Sequence, residues 1–177
     1  MRKPILLVGL LVLANLSIAQ DTPDPEFAGR PYLLKDNTLV DFERIEGDLG
    51  GKAGMKGMET FYAVQAGKST IRFASTAPPT FILKVEPGTD PMETFTVFRG
   101  EAGKKNRTFI VRKTDGKMVA KDISDLIVKV TYTKVRDGVY SASFPNGITP
   151  GEYAIISSKD SGGGTQMKCR MSCFGID

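Results

Sequence analysis

Alternation of apolar and polar side chains with a period of two is the feature that most constrains this chain. Within residues 126–134, Leu126, Val128 and Tyr132 lie on one side of an extended chain, and Lys129 lies on the other. Such alternation is typical of a β-strand with one face buried and one face in water. No segment sustains a helical period. The segments that follow the strand pattern are 31–35, 38–44, 59–65, 71–73, 81–85, 95–99, 108–113, 126–134, 140–144, 153–157 and 167–174.

The segment from Ile148 to Tyr153 adds a more specific fold signal. It reads Ile-Thr-Pro-Gly-Glu-Tyr between two predicted strands and resembles the tyrosine corner of immunoglobulin-like and fibronectin-like sandwiches. With its Pro-Tyr-Leu-Leu-Lys-Asp and terminal Phe-Gly-Ile-Asp segments, the chain resembles small secreted bacterial β-sandwich proteins. That resemblance implies fold and compartment only, with Pro150, Gly151 and Tyr153 as the structural corner. We therefore expect an all-β protein with a single antiparallel, immunoglobulin-like β-sandwich of about nine strands.

The first nineteen residues have the pattern of a secretory signal peptide. Arg2 and Lys3 precede an apolar run, and Ser17-Ile18-Ala19 places small residues before a cleavage site. The run is too short and wrongly flanked for a membrane span. We expect residues 1–19 to be removed and the protein to be exported to the periplasm or the medium.

The composition of the remaining chain excludes several classes of function. Residues 20–177 carry 22 basic and 20 acidic side chains, without a basic tail that would suggest nucleic acid. They contain no second apolar run, so no membrane span is expected after cleavage. Histidine is absent, which excludes His-dependent nucleophilic triads and His-ligated metals. We expect no catalytic residue, no metal and no cofactor.

Turn residues divide the predicted domain. Residues 20–30 read as a flexible Pro-rich leader, and the β-sandwich domain follows at 31–177. Asp36-Asn37 predicts the turn of an N-terminal hairpin over 31–46. The five glycines of residues 47–58 predict a flexible loop that connects this hairpin to the rest.

Two cysteines lie near the C-terminal end, at Cys169 and Cys173. Four residues of strand span about 13 Å, whereas a disulfide needs Cα atoms within about 7 Å. If the segment is a strand, both are therefore buried free thiols. A short-loop disulfide in an irregular segment is the alternative, and it suits an oxidising compartment.

Three basic residues at a predicted hairpin tip, Lys104, Lys105 and Arg107, are weak candidates for ligand binding. They would receive an anionic polysaccharide. The alternative is a solvated tip that discourages edge pairing. Elsewhere, Met55 and Met58 are too few for a thioether copper site and are expected to fold back onto apolar surface.

These observations favour a non-enzymatic, exported binding or assembly module at the cell envelope. Its partner would be an envelope protein or an anionic polysaccharide. The N-terminal hairpin would either contact that partner by strand addition or extend the protein's own sheet. The alternative is a carbohydrate-binding or carboxylate-dependent glycoside-hydrolysing module. Burial of the tyrosines in the core would argue against this alternative.

Overall fold

A computed structural model describes residues 22–161 and 167–177. Most of them lie in fourteen β-strands, and the only helical segments among them are one short α-helix and one 3₁₀ turn, Ser124–Leu126. The strands and the helix have the following bounds: β1 Pro31–Lys35, β2 Thr38–Asp41, β3 Glu43–Gly54, β4 Gly57–Gln65, β5 Arg72–Phe73, β6 Phe81–Lys84, α1 Pro91–Thr94, β7 Phe95–Ala102, β8 Asn106–Thr114, β9 Ala120–Lys121, β10 Ile127–Val128, β11 Thr131–Arg136, β12 Val139–Ser143, β13 Gly151–Ser157 and β14 Lys168–Ile176.

Six of these strands close into a barrel. The order is β7-β13-β14-β3-β4-β8, every neighbouring pair is antiparallel, and β7 and β8 close the ring through Glu101 opposite Thr108 and Ala102 opposite Arg107. Beyond those two pairs the closing strands diverge. Val97 of β7 then pairs with Val128 of β10, and β8 pairs with β9. The barrel is therefore closed at one end and split between β7 and β8 at the other.

A five-stranded antiparallel sheet, β11-β12-β6-β1-β2, packs against one side of the barrel. The chain passes from this sheet to the barrel at Phe42, between β2 and β3, and crosses between the two sheets again after β5, β6, β10 and β12. The predicted strand 126–134 is thus broken into two strands of different sheets. The aromatic and aliphatic residues of the layer between the sheets include Phe42, Phe81, Leu83, Phe95, Val97, Phe144, Tyr153, Ile155 and Phe174.

The barrel interior holds a second apolar cluster. In β7, β13 and β14, which face the five-stranded sheet, alternation sends one set of side chains into the barrel and the next set to the layer between the sheets. In β13, Ala154 and Ile156 face the barrel interior, whereas Tyr153 and Ile155 face the five-stranded sheet. The other buried members of the interior cluster are Tyr62, Val64, Phe98, Phe109, Cys169, Met171 and Cys173.

The expectation of an all-β protein is confirmed, but a single immunoglobulin-like sandwich of about nine strands is not. The larger sheet curls into a barrel, and β5 pairs with β14 in parallel.

The predicted tyrosine corner is present. Tyr153 Oη donates a hydrogen bond of 2.6 Å to the carbonyl oxygen of Thr149, four residues upstream, as tyrosine corners do.

The N-terminal hairpin is confirmed over 31–41, but residues 43–46 belong to β3 of the barrel and not to the hairpin. Asp36 and Asn37 both adopt left-handed backbone angles, with φ of 48° and 57°, as a two-residue type I′ turn requires. Strand β1 pairs with β6 along its other edge, so the hairpin extends the protein's own sheet. Its contact with a partner stays a prediction.

The prediction of a flexible Gly-rich loop over 47–58 is wrong. Strands β3 and β4 run through it and pair from Asp48 opposite Ala63 to Gly54 opposite Gly57. Its glycines make room for large neighbours instead. A Cβ on Gly50 would lie 2.5 Å from Cε2 of Phe61, and one on Gly47 would overlap the Met171 side chain inside the barrel. Sequence composition alone does not distinguish glycines that make a loop flexible from glycines that make room for large neighbours in a strand.

The leader is held rather than flexible over its described part, residues 22–30. Asp24 forms ion pairs with Lys84 at 2.8 Å and Arg136 at 2.9 Å, and the amide of Gly29 donates to the carbonyl of Lys84. Pro25 is buried. These ion pairs thus hold in place a segment whose proline-rich composition predicts a flexible chain. Residues 20 and 21 and the predicted signal peptide lie outside the described residues.

Candidate functional site

The structure separates the three basic residues predicted to bind a ligand. Lys104 and Lys105 are exposed in the turn between β7 and β8. Arg107 has no exposed surface, because it is the first inward-facing residue of β8 and opposes Val64 of β4. A surface cluster of three therefore does not exist. Binding by Lys104 and Lys105 alone stays a prediction.

Arg107 instead belongs to a charge cluster that fills the closed end of the barrel. Its Nη1 lies 3.1 Å from Oε2 of Glu43 and 3.3 Å from Oε2 of Glu152. Ser69 completes the cluster, since its hydroxyl donates to Glu43 at 2.5 Å and its amide donates to Glu152 at 2.8 Å. Burial lowers the pKa of the Arg107 guanidinium, but its carboxylate partners outweigh burial and raise that pKa, so Arg107 stays charged.

Arg72 covers the outer side of this charge cluster. Its Nη1 donates to Oε1 of Glu152 at 2.6 Å, and its Nε and Nη2 reach the carboxylate of Asp177 at 3.0 and 2.6 Å. Both carboxylates of the buried cluster are thus committed to guanidinium or serine donors. Glu152 is only 3% exposed and lies too deep to meet a polymer chain. The two glutamates brought together here therefore match a structural ion cluster better than a glycosidase pair.

The split end of the barrel contains a cavity of about 330 Å³, which we call the barrel mouth. It exists because β7 and β8 pair only near their connecting turn and then separate. The cavity lies between them, against Tyr62, Phe98 and Ile156 of the interior cluster. Its lining residues are Thr60, Tyr62, Thr96, Phe98, Val111, Arg112, Ile156, Ser158 and Ser161.

A β-bulge places Arg112 in the barrel mouth. Opposite β4, Phe61 pairs with Ile110 but the preceding Thr60 pairs with Arg112, so Val111 is the extra residue. Without the bulge, Arg112 would lie on the same side as Ile110, outside the barrel. The bulge reverses the alternation, and Arg112 now shares a side with Thr60 and Tyr62, which is how bulges redirect side chains near binding sites.

The barrel mouth combines an apolar floor with a polar rim. Phe98 and Ile156 are buried at the floor. The hydroxyls of threonine and serine residues surround it, and Tyr62 Oη donates a 3.2 Å hydrogen bond to the carbonyl of Ser161. Arg112 is exposed at the rim and is the only charged side chain among the described lining residues. Chemically, this arrangement suits a small molecule with an apolar part and an anionic group.

A wider groove of about 1080 Å³ runs beside β11, but its carboxylates are engaged. Glu86 pairs with Lys159 at 3.3 Å, Asp137 pairs with Lys134 at 2.6 Å, and Asp90 accepts from the amide of Met92 in α1. The hydrogen bond from Lys134 lowers the pKa of Asp137, whereas a glycosidase acid needs a raised one.

The tyrosines give the carbohydrate alternative little support. Tyr62 and Tyr153 are buried in the two cores, and Tyr132 and Tyr140 are partly buried against the layer between the sheets. Tyr132 also donates its hydroxyl to the carbonyl of Phe95 at 3.3 Å. None of these four rings therefore forms a fully exposed platform for a sugar.

Both cysteines are buried free thiols on the interior face of β14, as the strand spacing predicts. Burial raises the pKa of each thiol to about 12.

Within residues 22–161 and 167–177, no group of three or more cysteine or acidic side chains is placed to hold a metal ion. No helix in the same residues is long and apolar enough to cross a membrane.

Comparison of this chain with protein-family models, with curated proteins and with solved structures gave no match.

Sequence reasoning missed the barrel mouth entirely. Its lining comes from four strands and from the chain beyond β13, which are far apart in sequence. Arg112 sits in an apparently regular alternation, so no local signal marks it as inward-facing. Only the register between β4 and β8 reveals the bulge.

Proposed function

We propose that this chain is an exported, non-catalytic binding module that holds a small amphipathic anion in the barrel mouth. The observation that carries the proposal is Arg112, which a β-bulge turns toward a cavity with an apolar floor. The secretory pattern of residues 1–19 supports export.

The size and chemistry of the cavity support this ligand class. A volume of about 330 Å³ is at the lower end of small-molecule sites and is too small for a polymer. Phe98 and Ile156 match a short apolar chain, and a guanidinium binds carboxylate or phosphate in a bidentate manner. The shared feature of the ligand is therefore an anionic oxygen group on an apolar tail.

Titration calorimetry with octanoate, octyl phosphate and the neutral analogue octanol tests the proposal. We expect both anions to bind the wild-type protein, and octanol to bind about fivefold or more weakly because it cannot engage the guanidinium. Arg112→Gln should remove the preference for the anions. The control Arg170→Gln removes an equal charge from an exposed residue of β14 outside the cavity and should change nothing.

Two results would contradict this function. One is the absence of saturable binding of either anion. The other is an equal loss of binding in the Arg112 and Arg170 variants, which would reveal general charge attraction.

A further inference from the structure

Two hairpin ends lie side by side beyond the barrel mouth and form what we call the basic tip, residues 51–59 and 112–122. Strands β3 and β4 turn at Met55 and Lys56, and β8 and β9 turn at 115–119. Register pairs Met58 with Thr114 across the two hairpins. The Nζ of Lys121 also donates to the carbonyl oxygen of Lys56 at 3.0 Å.

The basic tip concentrates the positive charge of the protein. It carries six basic and three acidic side chains, whereas the rest of residues 20–177 carries sixteen basic and seventeen acidic ones. Lys113 pairs with Glu59 at 3.5 Å and is the only basic residue of the tip with an ion pair among the described residues. The carboxylate of Asp115 accepts from the amides of Lys117 and Val119, which commits it to its own turn.

Large apolar side chains are exposed between these lysines. Met55 is fully exposed at the hairpin turn, and Met118 and Val119 are 62% and 59% exposed in the neighbouring turn. They are three of the nine large apolar side chains that are exposed in the described residues. The expectation that the methionines fold back onto apolar surface is therefore wrong for Met55.

We propose that the basic tip docks on an anionic phospholipid bilayer. Exposed lysines are attracted to the negative surface of such a bilayer. Apolar side chains that project beyond them can enter the boundary between headgroups and acyl chains, as in proteins that bind membranes without spanning them. A soluble polyanion would use the lysines equally well but would gain nothing from Met55, Met118 and Val119, so both features together favour a bilayer.

Docking in this orientation has a consequence for the barrel mouth. The mouth and the basic tip lie at the same end of the barrel, since Thr60 of the cavity directly follows Glu59 of the tip and Arg112 belongs to both. A docked molecule would therefore hold its mouth toward the lipid surface. The docking itself rests on the tip alone and does not require a ligand in the mouth.

Vesicle co-sedimentation of the chain from residue 20 onward tests the docking. Vesicles of phosphatidylcholine mixed with phosphatidylglycerol should bind the protein, and pure phosphatidylcholine vesicles should not. Raising the salt to about 0.5 M should release most of it, because screening shortens the reach of the lysine charges. The triple variant Lys52→Gln, Lys56→Gln, Lys117→Gln should bind about tenfold or more weakly.

Matched variants separate the contributions. Met55→Ser keeps every charge and should weaken binding about fivefold or more, because it removes the apolar insertion. Lys104→Gln with Lys105→Gln removes two exposed lysines at the opposite end of the barrel and should have no effect. All these positions are exposed, so a thermal melt should show unchanged folding.

Three outcomes would overturn the docking. They are no binding to the anionic vesicles, equal loss in the Lys104/Lys105 variant, and competition by soluble heparin together with indifference to Met55→Ser. The last would identify a soluble polyanion instead. Failure here leaves the octanoate test of the barrel mouth unaffected, because that test uses a soluble monomeric ligand.

Discussion

At the scale of single residues, the closed end of the barrel depends on Arg107. This guanidinium has no exposed surface and balances the carboxylates of Glu43 and Glu152. Charges in such a place are stable only as a set, because each alone would lack both water and a partner.

Replacing Arg107 by Met should therefore lower the free energy of unfolding by about 3–5 kcal/mol, since it leaves the partly buried Glu43 without its cation and leaves Glu152 with Arg72 alone. Urea unfolding followed by circular dichroism measures this. The control Lys105→Met, on an exposed neighbour, should stay within about 0.5 kcal/mol of wild type. Adding Glu43→Gln and Glu152→Gln should restore part of the loss. A fully stable Arg107→Met variant would contradict the role of the cluster.

The thiols provide a second prediction at this scale. Because burial raises the pKa of Cys169 and Cys173 to about 12, neither should react with a maleimide in the folded protein at pH 8. Both should react after denaturation without reductant, which mass spectrometry would count. Rapid labelling of the folded protein would contradict their burial. Unreactive cysteines in the denatured protein would indicate a disulfide.

At the scale of elements, the leader and the β3–β4 hairpin owe their order to specific neighbours. Tyr32 and Ile82 lie opposite one another and are buried, although neither belongs to the two apolar cores. Lys84 lies two residues beyond Ile82 and therefore on the same side of β6, where it holds Asp24. The leader thus lies along the outer face of the five-stranded sheet.

Acid should release the leader. The hydrogen bond from Lys84, followed by that from Arg136, lowers the pKa of Asp24 below its ordinary value of 3.8. The contact is therefore complete above pH 3.8 and is lost as the pH falls through the lowered value. Backbone NMR of residues 24–29 should show the release in acid, as the pH falls from 3.8 through the lowered pKa, and in Asp24→Asn at neutral pH. The control Glu26→Gln should leave the leader bound; an equally mobile leader in this control would argue against the ion pairs.

Gly50 tests whether residues 47–58 form strands. Gly50→Ala should destabilise the protein by about 1–3 kcal/mol, because its Cβ would meet the ring of Phe61. Combining it with Phe61→Ala should give less than the sum of the two single losses, since the clash is then absent. Strict additivity, or a neutral Gly50→Ala, would favour the flexible loop.

At the scale of the whole molecule, features that depend on neighbouring residues were predictable from sequence, whereas features that depend on pairing between distant strands were not. The hairpin at Asp36-Asn37, the tyrosine corner and the free thiols depend on residues within a few positions of one another, and each is confirmed. Barrel closure depends on pairings between distant strands, such as β14 with β3, which alternation does not specify. The inward turn of Arg112 depends on the same long-range register.

The two ends of the barrel differ in a way that supports the proposed binding at one of them. At the closed end, β7 and β8 pair, and the charged side chains of Arg107, Glu43 and Glu152 fill the interior. At the other end, the same strands separate and leave an apolar cavity beneath Arg112 and the basic tip. We therefore propose that the closed end stabilises the fold and the split end binds the ligand.

The most direct test of this assignment is a backbone NMR titration of the protein with octanoate. We expect saturable shifts confined to the barrel mouth, at Thr60, Thr96, Phe98 and Arg112, that disappear in Arg112→Gln. Shifts at Lys104 and Lys105, or shifts scattered over the whole surface, would contradict a ligand site in the split end of the barrel.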